Sequence, residues 1–161
     1  VEKRKRIGDV EVDLVLGMNH QPGLLVITDR ASLKTSLTKI QTKASARIAK
    51  DIIRKMKPCE NWIKTMTYDN DMAFTRHQKI NEVLGTKSFF THPYTSQDKG
   101  TVENRIGVIR RFFPKKTDFT KVTHQQVKQV EKMINERPVR KFKYQTPNTV
   151  FLQKLKVALI D

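Results

Sequence analysis

Asp13, Asp69 and Glu103 are the residues of this chain whose types and settings could do chemistry together. Asp13 lies inside the apolar run Val10-Glu11-Val12-Asp13-Leu14-Val15-Leu16, and Asp69 closes the strand-like run Thr65-Met66-Thr67-Tyr68-Asp69-Asn70. Glu103 falls in the first turn of a helix opened by Gly100-Thr101, shortly before Arg105, Arg110, Arg111, Lys115 and Lys116. A carboxylate in so basic a setting is either a salt-bridge partner or a metal ligand. Metal-assisted phosphodiester chemistry needs hard oxygen ligands around two sites roughly 4 Å apart. Strand-borne aspartates give short, rigid ligands, and a helix-borne glutamate gives a longer, adjustable one. The residues alone leave the choice open, because three acids can be picked in many ways from the 16 present. Each has a bland alternative. Asp13 could face solvent from a strand, Asp69 could form an Asx-turn, and Glu103 could simply complement a helix dipole.

Composition narrows the partners. The 161 residues suffice for one domain with a real core. Lys and Arg number 32 against 16 Asp and Glu, for a net charge of +16 and an isoelectric point near 10.1. A chain this basic is expected to meet a polyanion, with nucleic acid first. An anionic membrane surface comes second and is not expected, for no basic amphipathic helix with a clean apolar face supports it, and the longest apolar runs, such as Leu24-Leu25-Val26-Ile27, are far too short to span a bilayer. The single cysteine, Cys59, and the four histidines show no zinc-binding spacing. A reducing cytoplasmic or nucleoid setting fits that usage. The chain starts at Val1 rather than Met, so further segments upstream are expected.

The elements that must position the acids are marked by period and punctuation. Residues 10–16 read as a strand, Asn19 to Gly23 as a hairpin turn, and Leu24 to Thr28 as a second strand. Leu33 to Ile40 alternates with one mostly polar face and predicts an edge strand. Three strands in quick succession imply an antiparallel meander. The period then changes. Ala44, Ile48, Ile52 and Met56 recur every four residues, Ala49 and Ile53 widen the stripe, and the helix must end before Pro58. A fourth strand is expected over Trp62 to Tyr68 and a second helix over Phe74 to Leu84, stopped by Gly85. A fifth strand follows over Lys87 to Phe90. The helix near Thr101 turns Val102, Ile106, Ile109 and Phe113 inward and ends at Pro114. Thr123 caps a further helix that Pro138 halts, and Thr146-Pro147 opens the last one. The pattern predicts one α/β domain over 1–161, with a basic lead over 1–8, C-terminal helices within 120–161, and parallel pairing among the later strands.

Several of these segments resemble one family. Gly8-Asp9-Val10-Glu11-Val12-Asp13-Leu14-Val15-Leu16-Gly17 is similar to the first acidic motif, Gly-His-Trp-Glu-Gly-Asp-Leu-Ile-Ile-Gly, of the DDE transposases of the bacterial insertion-sequence-thirty family. Thr67-Tyr68-Asp69-Asn70 with Phe74 resembles its Thr-x-Asp-Asn-Gly…Glu-Phe motif. His92-Pro93-Tyr94 and Gly100-Thr101-Val102-Glu103-Asn104 resemble its Pro-Tyr and Gly-Thr-Asn-Glu-Asn elements. Phe112 to Phe119 matches a Tyr-Phe-Pro-Lys-Gly-Thr-Asp-Phe tail, and Asn135-Glu136-Arg137-Pro138 and Tyr144-Gln145-Thr146-Pro147 continue it. Asp9-Val10, Val12, Asp71, Gln97-Asp98 and Val102 depart from the family pattern, while the three acids match it.

The resemblance implies an RNase H-like fold with a five-stranded mixed sheet flanked by helices. It implies metal-dependent cleavage and joining of DNA, both element ends and target, with Mg²⁺ or Mn²⁺ held by Asp13, Asp69 and Glu103. A homo-oligomer in the transposition complex and DNA-reading domains ahead of this one are part of the same expectation. An RNase H-fold nuclease, a retroviral-type integrase, or an inactive transposase-derived DNA-binding module would share much of it.

Around the acids, Asn104, Arg105, Arg110, Arg111, Lys115 and Lys116 are expected to contact phosphate. Arg137, Arg140, Lys141 and Lys143 form a second basic run. Glu11 shares a strand face with Asp13 and is either a supporting acid behind the site or an exposed partner for a Lys. Asn70 and Asn104 could hold the scissile strand or bond a neighbouring loop. His92 could orient a phosphate or be structural, and Asp71 and Asp98 read as loop acids. Trp62 and Cys59 read as structural.

Overall fold

The structure is a computed structural model that describes residues 6–21, 23–91 and 100–160. Five strands form one sheet in the order β3-β2-β1-β4-β5. β1 (Asp9–Val15) is therefore central. It pairs antiparallel with β2 (Leu24–Asp29), which pairs antiparallel with β3 (Thr35–Lys39). On its other side β1 pairs parallel with β4 (Thr65–Tyr68), and β4 pairs parallel with β5 (Lys87–Phe90). The expected meander and the later parallel pairs are both present.

Alternation along β1 splits its residues between two helical layers. Val10 and Val12 join Leu25, Ile27, Met66 and Tyr68 in a core closed by α1 (Ser45–Met56) and α2 (His77–Leu84). The α1 stripe does what its period predicts, burying Ile48, Ile52 and Met56. Val15, Leu24, Val26 and Leu37 face the opposite way, onto α3 (Gly100–Ile109) and α4 (His124–Glu136), with Val102, Ile109, Val127, Val130 and Ile134. A smaller cluster of Ile7, Ala31 and Phe151 seats α5 (Pro147–Ile160), and the Trp62 ring meets Phe151 edge-on at 4.8 Å.

Element boundaries follow local chemistry. β3 begins at Thr35 rather than Leu33, because Leu33 sits at φ 62 in the turn after β2. β4 begins at Thr65 rather than Trp62, which lies in a turn whose N–H donates to Cys59. Phe74 belongs to a separate 3-10 turn over Met72–Phe74 that Asp71 caps by accepting from Ala73 N, so α2 starts only at His77. Gly85 stops α2 in the left-handed conformation, as expected. Thr123 and Gln126 form a reciprocal capping box on α4. Gly8, at φ +93, is a position only glycine fits, since a Cβ there would stand 2.0 Å from the Trp62 carbonyl oxygen.

The outer edge of β3 is met by polar side chains. α4 covers this edge strand with side chains. Asn135 accepts from Thr35 N (2.9 Å) and donates to Thr35 O (2.7 Å), and Glu131 accepts from Leu37 N (2.6 Å). The outer N–H and C=O of Thr35 and the N–H of Leu37 are thereby paired, which closes this part of the edge to another strand. Among the described residues, no helix is long and apolar enough to cross a membrane.

Candidate active site

The sheet brings the two aspartates to one level. Glu11 of β1 is in register with Thr67 of β4 in a parallel pair. Two residues further on stand Asp13, still within β1, and Asp69, just past the end of β4. In-register neighbours share a face, and neighbouring strands run about 4.8 Å apart. The face is the one covered by α3, since Val12 and Tyr68 point into the opposite core. Both aspartates are half-buried. Asp13 Oδ1 accepts from the N–H of Leu14 at 2.8 Å, and Asp69 Oδ1 accepts from Asp71 N at 3.4 Å. The loop behind Asp69 is fixed at both ends. Asn70 donates to Thr91 O at 3.0 Å, tying β4 to the end of β5, and Asp71 is bridged by Lys43 at 2.8 Å. Asn70 thus bonds the neighbouring loop, and Asp71 is a capping and ion-paired residue rather than a merely solvated one.

Glu103 is exposed in the first turn of α3. The start of that helix is held on β1 by Glu11, whose Oε2 accepts from Val102 N at 2.7 Å. Glu11 is wholly buried, and its Oε1 lies 2.9 Å from Arg30 Nε, an ionic contact whose N–H does not point along the line to the oxygen. Of the two readings of Glu11, the exposed partner for a Lys is excluded. Among the described residues, no three of His, Cys, Asp and Glu are gathered closely enough to hold an ion between them. The three expected acids therefore share one region of the fold without forming a closed cluster.

The basic residues divide sharply. Arg105, expected at phosphate, is buried at 3% exposure, donating to Thr35 Oγ1 (3.1 Å) and Ile134 O (2.9 Å). Burial pulls its pKa down to about 10, with the nearby Arg137 charge adding to the effect. This corrects the phosphate reading, because the guanidinium points into the protein. The missed signal was helical spacing. Arg105 is three residues after Val102 and four before Ile109, on the buried stripe itself. Arg110 is half-buried and donates to Leu16 O (3.0 Å) and Pro114 O (3.3 Å), so it ties the end of α3 to the end of β1. Asn104, Arg111, Lys115 and Lys116 are exposed, as are Arg137, Arg140, Lys141 and Lys143 of the second run. Sequence reasoning gave no role to Arg30, Thr35 or Asn135, whose partners lie far along the chain. His92, Asp98 and the basic lead before Arg6 lie outside the described residues.

The departures from the family pattern, where described, fall on packing and capping positions. Val10, Val12 and Val102 are core residues, Asp9 accepts from Arg6 and Thr65, and Asp71 caps its turn. They change what fills the layers around the acids rather than the acids themselves.

No protein-family model matches the chain. It is 38% identical over 153 residues to the transposase for insertion sequence element IS4351 of Bacteroides fragilis, a match covering 95% of this chain and 47% of that protein. It is 30% identical over 162 residues to transposase InsI for insertion sequence element IS30A of Escherichia coli K12, covering all of this chain and 42% of that protein. The chain thus spans less than half the length of these relatives. Among solved structures, the catalytic core domain of BIV integrase superposes with a TM-score of 0.70 at 15% identity, over 94% of this chain and 98% of that one. A chain of a simian T-cell lymphotropic virus intasome gives 0.73 at 16% identity, over 90% of this chain and 54% of that one. The meander, the parallel pair and the flanking helices are those of the RNase H-like integrase cores. The chain is accordingly a homologue, over nearly all of its length, of part of the transposases of the insertion-sequence-thirty family and related insertion sequences.

Proposed function

We propose that this chain is the catalytic core of a DDE transposase that cuts and joins DNA, with Asp13, Asp69 and Glu103 as its three acids. What supports the reading is the parallel pair Glu11↔Thr67, which Asp13 and Asp69 each follow by two residues, together with the bond that fastens the helix bearing Glu103 to β1. The donor set fits a hard divalent ion such as Mg²⁺ or Mn²⁺, since it is made of carboxylate oxygens alone. Bound there, such an ion would supply charge that stabilises the phosphate oxygens and lowers the pKa of the attacking hydroxyl.

The chain's own residues do the rest. Asp13 and Asp69 are half-buried on a rigid sheet, so their carboxylates are offered from fixed points. Glu103 is offered from the surface of α3, on a longer side chain that can adjust to an ion. Arg111, Lys115, Lys116 and Asn104 follow it in sequence and are exposed, so they are placed to hold DNA phosphates by charge and hydrogen bonding. Arg110 orients the loop that carries the lysines. The protein provides no covalent nucleophile; water or a DNA 3′-hydroxyl attacks. DNA-reading domains ahead of this core and assembly into a homo-oligomer on element ends complete the reading.

The test is strand transfer on element-end oligonucleotides with Mg²⁺ or Mn²⁺. Joined products that depend on Asp13, Asp69 and Glu103 support the reading. Cleavage without joining points to a nuclease, and binding without either to an inactive module.

A further inference from the structure

The face of the sheet beneath α3 carries a row of buried polar groups beside its apolar ones. Glu11, Thr28 and Thr35 stand side by side across β1, β2 and β3, by the registers Glu11↔Thr28 and Thr28↔Thr35. Glu11, Thr28 and Thr35 are at most 1% exposed. α3 is fastened to this row twice. At its first turn, Val102 N donates to Glu11 Oε2 at 2.7 Å, and further on, Arg105 donates to Thr35 Oγ1 at 3.1 Å. The first fastening is unusual in kind. N–H groups in the first turn of a helix have no acceptor within the helix and are ordinarily met by a cap on the same chain segment. Here the acceptor comes from the central strand of the sheet, 91 residues earlier in sequence. Glu11 is held in place for that task by Arg30, itself 9% exposed.

We propose that Glu11, set by Arg30, is a positioning residue of the site. It fixes the first turn of α3 on β1, and so fixes the height at which Glu103 stands over Asp13. Glu11 and Asp13 are two residues apart on one strand face, while Val102 and Glu103 are consecutive on α3. One hydrogen bond therefore links the element of the first acid to the element of the third. Because Glu103 is exposed and makes no closed cluster with the aspartates, its position depends on how α3 is seated rather than on contacts of its own carboxylate. This inference rests on the proposed function, and the experiment separates their failures.

Mn²⁺ binding to the DNA-free protein is measured by calorimetry for wild type, Asp13→Asn, Glu11→Asp, Glu103→Gln and the Glu11→Asp/Glu103→Gln double variant, with thermal melting as the check on folding. Glu11→Asp keeps the charge that faces Arg30 but draws the carboxylate back by one methylene, out of reach of Val102 N. The expected result is about tenfold weaker Mn²⁺ binding for Glu11→Asp, a similar loss for Glu103→Gln, and a double variant no weaker than the worse single, as for supporting residues that act through a ligand. Wild-type Mn²⁺ affinity in Glu11→Asp, or losses that multiply in the double variant, would overturn the positioning role. If Asp13→Asn binds Mn²⁺ like wild type, the proposed function itself fails. Should Glu11→Asp not fold, hydrogen exchange at the Val102 amide of the wild-type protein decides. Protection equal to that of the core strands supports the fastening, and exchange as fast as an uncapped first-turn amide overturns it.

Discussion

The two faces of this sheet are built on opposite principles. The face under α1 and α2 is mainly apolar, with Val10, Val12, Leu25, Ile27, Met66 and Tyr68 packed against Ile48, Ile52, Phe74 and Ile80, and with Asp29 beside Val10 as its buried charge. The face under α3 and α4 mixes an apolar cluster with Glu11, Thr28, Thr35, Arg105 and Asn135, all buried, and opens at its end onto half-buried Asp13 and Asp69. The first face stabilises chiefly by burial. Its groups leave water and gain roughly 25 cal/mol per Å² of apolar surface buried. The second loses part of that gain to desolvation and obtains in return directional bonds that fix α3 and α4 in one register. Directional bonds under α3 and α4, and mainly apolar burial under α1 and α2, is the division the comparison shows.

The comparison predicts where substitutions act. The largest effect is expected at the open end of the polar face. Asp13→Asn or Glu103→Gln should lower strand transfer by ~10³-fold or more, since a metal's role in such a reaction is worth several kcal/mol. Melting without metal should hold or rise, because acids brought near one another repel when no cation is present. A Glu103→Gln variant that joins strands at near wild-type rate would remove Glu103 from the site.

The apolar face should behave in reverse. Ile52→Ala is expected to cost about 2–5 kcal/mol in urea unfolding, from lost burial plus the cavity left behind. Mn²⁺ affinity of the folded fraction should stay unchanged. A loss of metal affinity larger than the unfolded fraction explains would break the separation of the faces.

A smaller effect distinguishes buried from exposed cations. Lys115→Ala is expected to reduce the slope of log K against log salt for duplex DNA by about 0.9, one phosphate contact. Arg105→Met should leave that slope as it was, because its guanidinium bonds Thr35 and Ile134 inside the protein. An Arg105→Met variant with a reduced slope and unchanged melting would overturn its assignment to the interior.

The smallest effect concerns Lys116, which stands at φ +68 where the resembling family motif has Gly. Lys116→Gly removes left-handed strain of about 1–2 kcal/mol, offset in part by the extra freedom glycine gives the unfolded chain. A gain in stability of up to ~1 kcal/mol is expected, together with weaker DNA binding. Unchanged DNA affinity would show that the side chain does not reach phosphate.

Much of this was settled by sequence, and the reason is locality. The four-residue recurrence in α1, the Thr123 cap, the stops at Gly85 and Pro138, and the alternation that sets Glu11 and Asp13 on one face all depend on neighbours within a turn or two. The order of the acids along the chain carried the resemblance, and with it the RNase H-like sheet. What sequence left open was which helix covers which face. That choice is made by packing between segments far apart in the chain, and it alone decided the fate of the polar side chains. With α3 over β1, Glu11 is sealed from water and must find Arg30 and Val102 N, while Asp13, two residues on, stays half-open. With α4 along β3, Asn135 and Glu131 close the edge that the Leu33–Ile40 pattern could only mark as polar. Arg105 shows the limit most plainly. Charge argued for the surface, helical spacing argued for the interior, and burial against Thr35 and Ile134 resolved it, because a guanidinium can enter a core wherever distant backbone and hydroxyl acceptors are waiting for its protons.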